Sequence, residues 1–136
     1  MPIEYKETAV LPEPAVRELY ADSNWSVYTR DMPRLMAAIG NSLKVISAWD
    51  GEILVGLVRA VGDGQTILYI QDILVLKAYR RRGIGTALLK GVLAACPDVR
   101  QKVLLTDDRP ETREFYQANG FQACDKGETV AFARFD

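Results

Sequence analysis

The spacing of apolar and polar residues changes several times along the chain, and each change marks an element. Ile3 to Lys6 alternate as a strand does. Beyond Pro12 and Pro14, Val16, Leu19 and Tyr20 share one face of a short helix that Asp22, Ser23 and Asn24 end. A loop carrying Trp25 and Tyr28 leads to Asp31, which can cap a second helix with Leu35 and Ile39 at i, i+4; Gly40 and Asn41 stop it. Two strands, LKVISAW and EILVGLVRAV, meet at Asp50 and Gly51, a strong hairpin signal. After Gly62, Asp63 and Gly64, the stretch TILYIQDILVL is apolar on both faces except at Gln71 and Asp72, as expected of a strand inside a sheet.

The second half returns to helical spacing. Ile84, Leu88, Val92 and Ala95 form one stripe, closed by Pro97 and Asp98. KVLLT reads as a strand, REFYQAN as a helix with Gly120 as its C-terminal cap, and TVAFARF alternates as a last strand. Antiparallel hairpins come first, then strand, helix, strand, helix, strand. That order predicts a mixed α+β fold. No repeat or Pro/Gly/Ser-rich linker divides the 136 residues, so a single domain spanning 1–136 is expected.

Composition narrows the chemistry. With 49% hydrophobic and 26% charged residues, the chain has the balance of a soluble globular protein. A net charge of −1 argues against whole-protein attraction to nucleic acid or an anionic membrane. Histidine is absent, which removes Ser/His and Cys/His catalysis and the commonest metal ligand. Cys96 and Cys124 are too few and too separated for a metal knuckle or disulfide framework, so no metal is expected and both are read as reduced thiols. MPIEYKETAV lacks the pattern of a signal peptide and no apolar run reaches membrane-spanning length; a cytoplasmic protein is the expectation.

Five groups of residues could carry chemistry. In YRRRGIGTALLK, Arg80, Arg81 and Arg82 run into Gly83, Ile84, Gly85 and Thr86 where a helix begins. Glycines let a ligand approach the backbone, and a helix start offers unpaired N–H groups and a positive dipole end. A phosphate suits such a loop; solvated arginines before an ordinary helix start are the alternative. Asp72 is a carboxylate in an apolar strand, which costs free energy unless it is hydrogen-bonded, paired or used. It is either a general base or a satisfied polar residue, for instance ion-paired with a nearby arginine. Tyr116 is either a core aromatic or a proton donor to a leaving group, and Trp25 and Tyr28 either wall a substrate pocket or cover the core. Asp107, Asp108 and Glu111 read as a solvated turn with a helix-capping carboxylate, or as an attractant for a cationic substrate.

Taken together, DILVLKAYRRRGIGTALL and the later EFYQANGF resemble the GNAT superfamily of acetyl-CoA-dependent N-acetyltransferases. The pyrophosphate-loop pattern Q/R-x-x-G-x-G/A is matched by Arg80 to Gly85, and the second element by Phe115, Tyr116, Gly120 and Phe121. The resemblance implies a GNAT-like fold, a central mixed and mostly antiparallel sheet of about six to seven strands flanked by about four helices. It implies direct transfer of an acetyl group from acetyl-CoA to a primary amine of a small molecule or protein, without a covalent enzyme intermediate. The loop from Arg80 to Thr86 would then hold the pyrophosphate, and Ile73, Leu74 and Val75 would pair with the pantetheine arm. A backbone N–H of that strand would polarise the thioester carbonyl. Asp72 would take the amine's proton with Gln71 orienting, Tyr116 would meet the departing thiolate, and Trp25 and Tyr28 would contact the acceptor. Many relatives place a glutamate where this chain has Gln71 and Asp72, and an asparagine where it has Thr106, Asp107 and Asp108. The alternative function is a non-catalytic coenzyme-A-binding sensor or interaction module. A homodimer is common among relatives, and nothing in the sequence specifies an interface.

Overall fold

Five strands and five α-helices make up the computed structural model, which describes residues 2–136. Their contacts divide into two units, one ending at Leu105 and one running Thr106–Asp136.

The first unit is built on a five-stranded sheet in the order β1-β2-β3-β4-β5. Its strands are β1 (Glu4–Glu7), β2 (Lys44–Asp50), β3 (Ile53–Gly62), β4 (Ile67–Val75) and β5 (Gln101–Leu104). β1 to β4 pair antiparallel in sequence order, and β5 joins β4 in parallel. A parallel pair needs a crossover, and α4 (Ile84–Ala95) supplies it. The remaining helices of this unit are α1 (Glu13–Asp22), α2 (Ser26–Thr29) and α3 (Met32–Gly40).

The two faces of the sheet bury different helices. Val16, Leu19 and Tyr20 of α1 and Leu35 and Ile39 of α3 pack with Val45, Leu57 and Leu74. Neighbouring strand residues point to opposite faces, so Ile46 and Gly56 look the other way, towards α4. Gly56 is needed there. A Cβ on it would lie 3.1 Å from Leu88 Cδ1, 3.2 Å from Ile84 Cγ2 and 3.3 Å from the Leu74 carbonyl oxygen, so its bareness lets α4 approach the sheet. Local signals set the ends of these elements. Asp31 caps α3 by accepting from the Arg34 N–H, and Gly51, at φ 60°, turns the β2–β3 hairpin.

In the second unit, α5 (Pro110–Ala118) stops at Asn119, and Gly120 follows at φ 90° with its N–H on the Gln117 carbonyl. A single 3-10 turn covers Cys124–Lys126.

Three expectations need correction. The sheet has five strands, fewer than the six to seven expected, and TVAFARF forms none of them. Its alternation fails at Arg134, which falls in step with Val130 and Phe132 while Phe135 falls on the other side. No single apolar face results, and Val130, Phe132 and Phe135 stay exposed. The helix count is five because the loop expected to carry Trp25 and Tyr28 winds into α2. The start of α5 is not capped by a carboxylate: Arg109 occupies the capping position without a side-chain bond. No helix among the described residues is long and apolar enough to cross a membrane.

Candidate active site

β3 and β4 pair with one irregularity, and it falls at the chemistry. Arg59 lies opposite Asp72 while Ala60 lies opposite Ile70, so Gln71 has no residue across from it. This is a β-bulge, a device that bends a strand and re-aims its side chains. β5 ends at Leu104 opposite Ile70. Residues 71 to 75 of β4 therefore have β3 on one side and no strand partner on the other among the described residues.

Asp72 is 2% exposed and accepts three hydrogen bonds. Its Oδ2 accepts from Arg59 Nε at 2.9 Å and from the Tyr20 hydroxyl at 2.9 Å, and its Oδ1 accepts from the Tyr28 hydroxyl at 2.9 Å. The Arg59 side chain is itself only 6% exposed. Burial alone would make that guanidinium easier to deprotonate; the Asp72 charge and hydrogen bond outweigh it and hold the cation. Burial first, then the Asp72 charge, pushes the Tyr20 phenol far above its ordinary range. Tyr28 is also raised, mainly by burial and partly opposed by a hydrogen bond from Gln71 Nε2 at 3.0 Å. Both phenols keep their protons.

The sequence singled out Asp72 and Tyr28 but missed their partners, Arg59 and Tyr20. The signal was present. Arg59 is the only charged side chain in the apolar run ILVGLVRAV, and Asp72 is the only one in TILYIQDILVL. Of the two readings of Asp72, an ion pair with an arginine is the arrangement found, with Arg59 in place of the nearby run at 80–82. The aromatic rings sit together as well. Tyr20 stands edge-on to Trp25 and Tyr28, with centroids 5.8 and 5.3 Å away, and the half-buried Trp25 and Tyr28 pack on the α1/α3 core.

After β4 the chain makes a 3-10 turn over Lys77–Tyr79 and then the arginine loop. This stretch is anchored from three directions. The Lys77 N–H donates to Asp22 Oδ2, the Leu76 N–H to the Val55 carbonyl, and the Tyr79 hydroxyl to Asp50 Oδ2 at 2.6 Å. The three arginines differ. Arg80 Nε reaches back to the Val75 carbonyl at 3.4 Å, and the Arg82 guanidinium lies 4.8 Å above the Tyr79 ring. Arg81, exposed, takes φ 65°, and Gly83 takes φ 80° immediately before α4. Two left-handed residues so close bend the loop sharply just before α4, whose dipole puts its positive end there.

In the second unit, Tyr116 is buried between Phe115 and Phe121, whose ring centroids are 5.0 and 5.9 Å from its own. Burial pushes its phenol up to about 12. The acidic turn is largely self-paired: Arg113 holds Asp108 at 2.6 Å and Asp125 at 2.9 Å, and Arg109 meets Glu111 at 2.8 Å. The structure thus brings Asp72, Tyr28 and Trp25 together, sets residues 80 to 86 between the Lys77–Tyr79 turn and the first turn of α4, and places Tyr116 in the other unit.

Comparison with known proteins follows the same lines. The family described as Acetyltransferase (GNAT) domain matches residues 10–135. An uncharacterized N-acetyltransferase, ycf52-like, from Prochlorococcus marinus is 29% identical over 123 residues, covering 86% of this chain and 66% of its own length. The chain therefore spans just under two thirds of that relative. A GNAT family acetyltransferase protein from Streptococcus pneumoniae has a solved structure 29% identical to this chain, with a TM-score of 0.87 over 99% of this chain and 98% of its own. AAC(6')-Iy, solved in complex with the bisubstrate analog CoA-S-monomethyl-acetylneamine, shares the fold at 18% identity and a TM-score of 0.70, covering 100% of this chain and 99% of its own.

Proposed function

The chain belongs to the GNAT acetyltransferase family, and from that premise we propose that it moves the acetyl group of acetyl-CoA directly to a primary amine. The observation that carries this reading is the anchored loop from Arg80 to Thr86, with Arg81 and Gly83 in left-handed conformations at the start of α4. In this proposal the N–H groups of Arg81 to Thr86 hold the pyrophosphate. Arg81 makes no side-chain hydrogen bond or ion pair among the described residues, and it reaches the outer phosphate. The unpaired edge at Ile73, Leu74 and Val75 takes the pantetheine arm as an added strand. Residues 1–136 act as one acetyltransferase domain, a view supported by a single family match running through 10–135.

The amine nitrogen attacks the thioester carbonyl carbon, the carbonyl oxygen is steadied by a backbone N–H of the 73–75 segment, and the C–S bond then breaks. The nitrogen must shed a proton. Asp72 would need a lone pair that an amine can reach, yet both its oxygens are engaged and it is 2% exposed, so its role here is to position other groups. The amine's proton passes to water, and much of the acceleration comes from holding two reactants in line. Tyr116, protonated through the neutral range, gives its proton to the departing thiolate.

The test is release of free coenzyme A thiol, together with the mass gain of one acetyl group, when the protein meets acetyl-CoA and each of spermidine, glucosamine, phenethylamine and a lysine peptide. An amino sugar is included because a protein of this fold was solved with a conjugate of coenzyme A and acetylneamine. Binding of acetyl-CoA without turnover of any amine would favour the sensor reading. Tyr116→Phe is expected to lower kcat by about a hundredfold while leaving acetyl-CoA affinity within twofold, the loss typical of a removed general acid. Equal kinetics in the variant would return Tyr116 to a purely packing role. The same burial carries a stability consequence. The unfolded phenol ionises near 10.0 and the folded one near 12, so stability is lost as pH rises between those values.

A further inference from the structure

Gln71 is exposed, sits at the bulge of β4, and immediately precedes the open edge of that strand. Its side chain is nonetheless tied inward, because Nε2 donates to the Tyr28 hydroxyl at 3.0 Å. The direction of that bond follows from charge. A carboxylate only accepts, so Tyr28 must spend its single hydrogen on Asp72 Oδ1, and its oxygen is left to accept. What faces Tyr28 must then be the NH2 end of Gln71, because the carbonyl end has nothing to donate. Asp72 in its turn is held by Arg59 and Tyr20, neither of which can rotate away without leaving a buried polar group bare. The chain Arg59, Asp72, Tyr28, Gln71 therefore fixes an amide whose orientation would otherwise be free, and its carbonyl oxygen Oε1 is the end not spent on Tyr28.

We infer that Gln71 Oε1 is the hydrogen-bond acceptor for the incoming amine, and that Asp72 and Tyr28 are positioning residues that hold it there. This rests on the acetyltransferase reading above and adds how the acceptor is recognised. A neutral oxygen takes one N–H of a primary amine and aims its lone pair, and it does so without the negative charge that would hold the amine as a non-nucleophilic ammonium. The acceptor class is accordingly an amine recognised through its N–H groups by a neutral partner, flanked by the rings of Trp25 and Tyr28.

A double-mutant cycle with two readouts tests this. In the wild-type protein the side-chain amide signals of Gln71, assigned by 15N-labelled NMR, are expected to shift clearly in Tyr28→Phe, because the acceptor of Nε2 is gone. Unmoved signals overturn the relay whatever the activity. In kinetics with whichever of the four amines gives the fastest turnover, Gln71→Leu and Tyr28→Phe are each expected to raise the amine KM by roughly tenfold, the value of one such hydrogen bond, with the acetyl-CoA KM unchanged. The double variant Tyr28→Phe/Gln71→Leu is expected to be no worse than the poorer single one, because both remove the same contact. Additive losses overturn the relay and leave the acetyltransferase reading standing. No turnover of any amine by wild-type protein overturns both.

Discussion

Gly83→Asp is expected to abolish acetyl-CoA binding at micromolar concentrations while leaving the protein folded. The two halves of that statement have separate causes. A Cβ at Gly83 meets nothing within 4 Å, so the side chain finds room. Its φ of 80° is left-handed, a conformation that aspartate tolerates better than most residues, at a cost of roughly 1 kcal/mol. Position 83 is also the N-terminal cap of α4, where an aspartate oxygen can accept a helix N–H and offset part of that cost. Binding is another matter. In the proposed complex the new carboxylate faces the pyrophosphate, and two like charges about 4 Å apart at an effective dielectric near 20 repel by about 4 kcal/mol, roughly a thousandfold in affinity. Thermal melting and cofactor titration on the same sample separate the effects. A folded variant with wild-type affinity would remove the loop from the binding site.

Asp72→Leu is expected to destabilise the first unit by about 3–5 kcal/mol, the usual cost of removing one partner of a buried pair. Arg59, 6% exposed, would keep a charge with no counterion, and the Tyr20 hydroxyl would lose its acceptor. The discriminating control is the pair Arg59→Met/Asp72→Leu, which removes both charges together and is expected to recover much of the loss. Urea unfolding of the three proteins measures this. A single variant that loses less than about 1 kcal/mol would mean that the pair behaves as a solvated surface bridge.

The contrast between these two sites shows what a sequence carries. The loop was legible because everything that shapes it is local: a glycine that can turn left-handed, a run of cations, and an apolar stripe beginning at Ile84. The α3 boundaries and the Asp50–Gly51 hairpin were legible for the same reason, since caps and tight turns are set within a few residues. The Asp72 network was not. Its members lie on α1, α2, β3 and β4, and they meet only because a bulge at Gln71 sets Arg59 opposite Asp72. The lone charges mark each strand, but nothing local to either strand sets the one-residue shift that brings them opposite each other. TVAFARF misled in the opposite way, offering three correct alternations and then a charge on the apolar side. Its local pattern could not supply the partner edge that a strand requires.

The central claim is that the loop between β4 and α4 holds the phosphates of coenzyme A, and isothermal titration with acetyl-CoA tests it most directly, with adenosine diphosphate as the control for the phosphate end. One-to-one binding, much tighter for acetyl-CoA than for the diphosphate because the β4 edge adds contacts to the pantetheine arm, is the expected result. No heat of binding at millimolar acetyl-CoA, from protein that melts cooperatively, would contradict it.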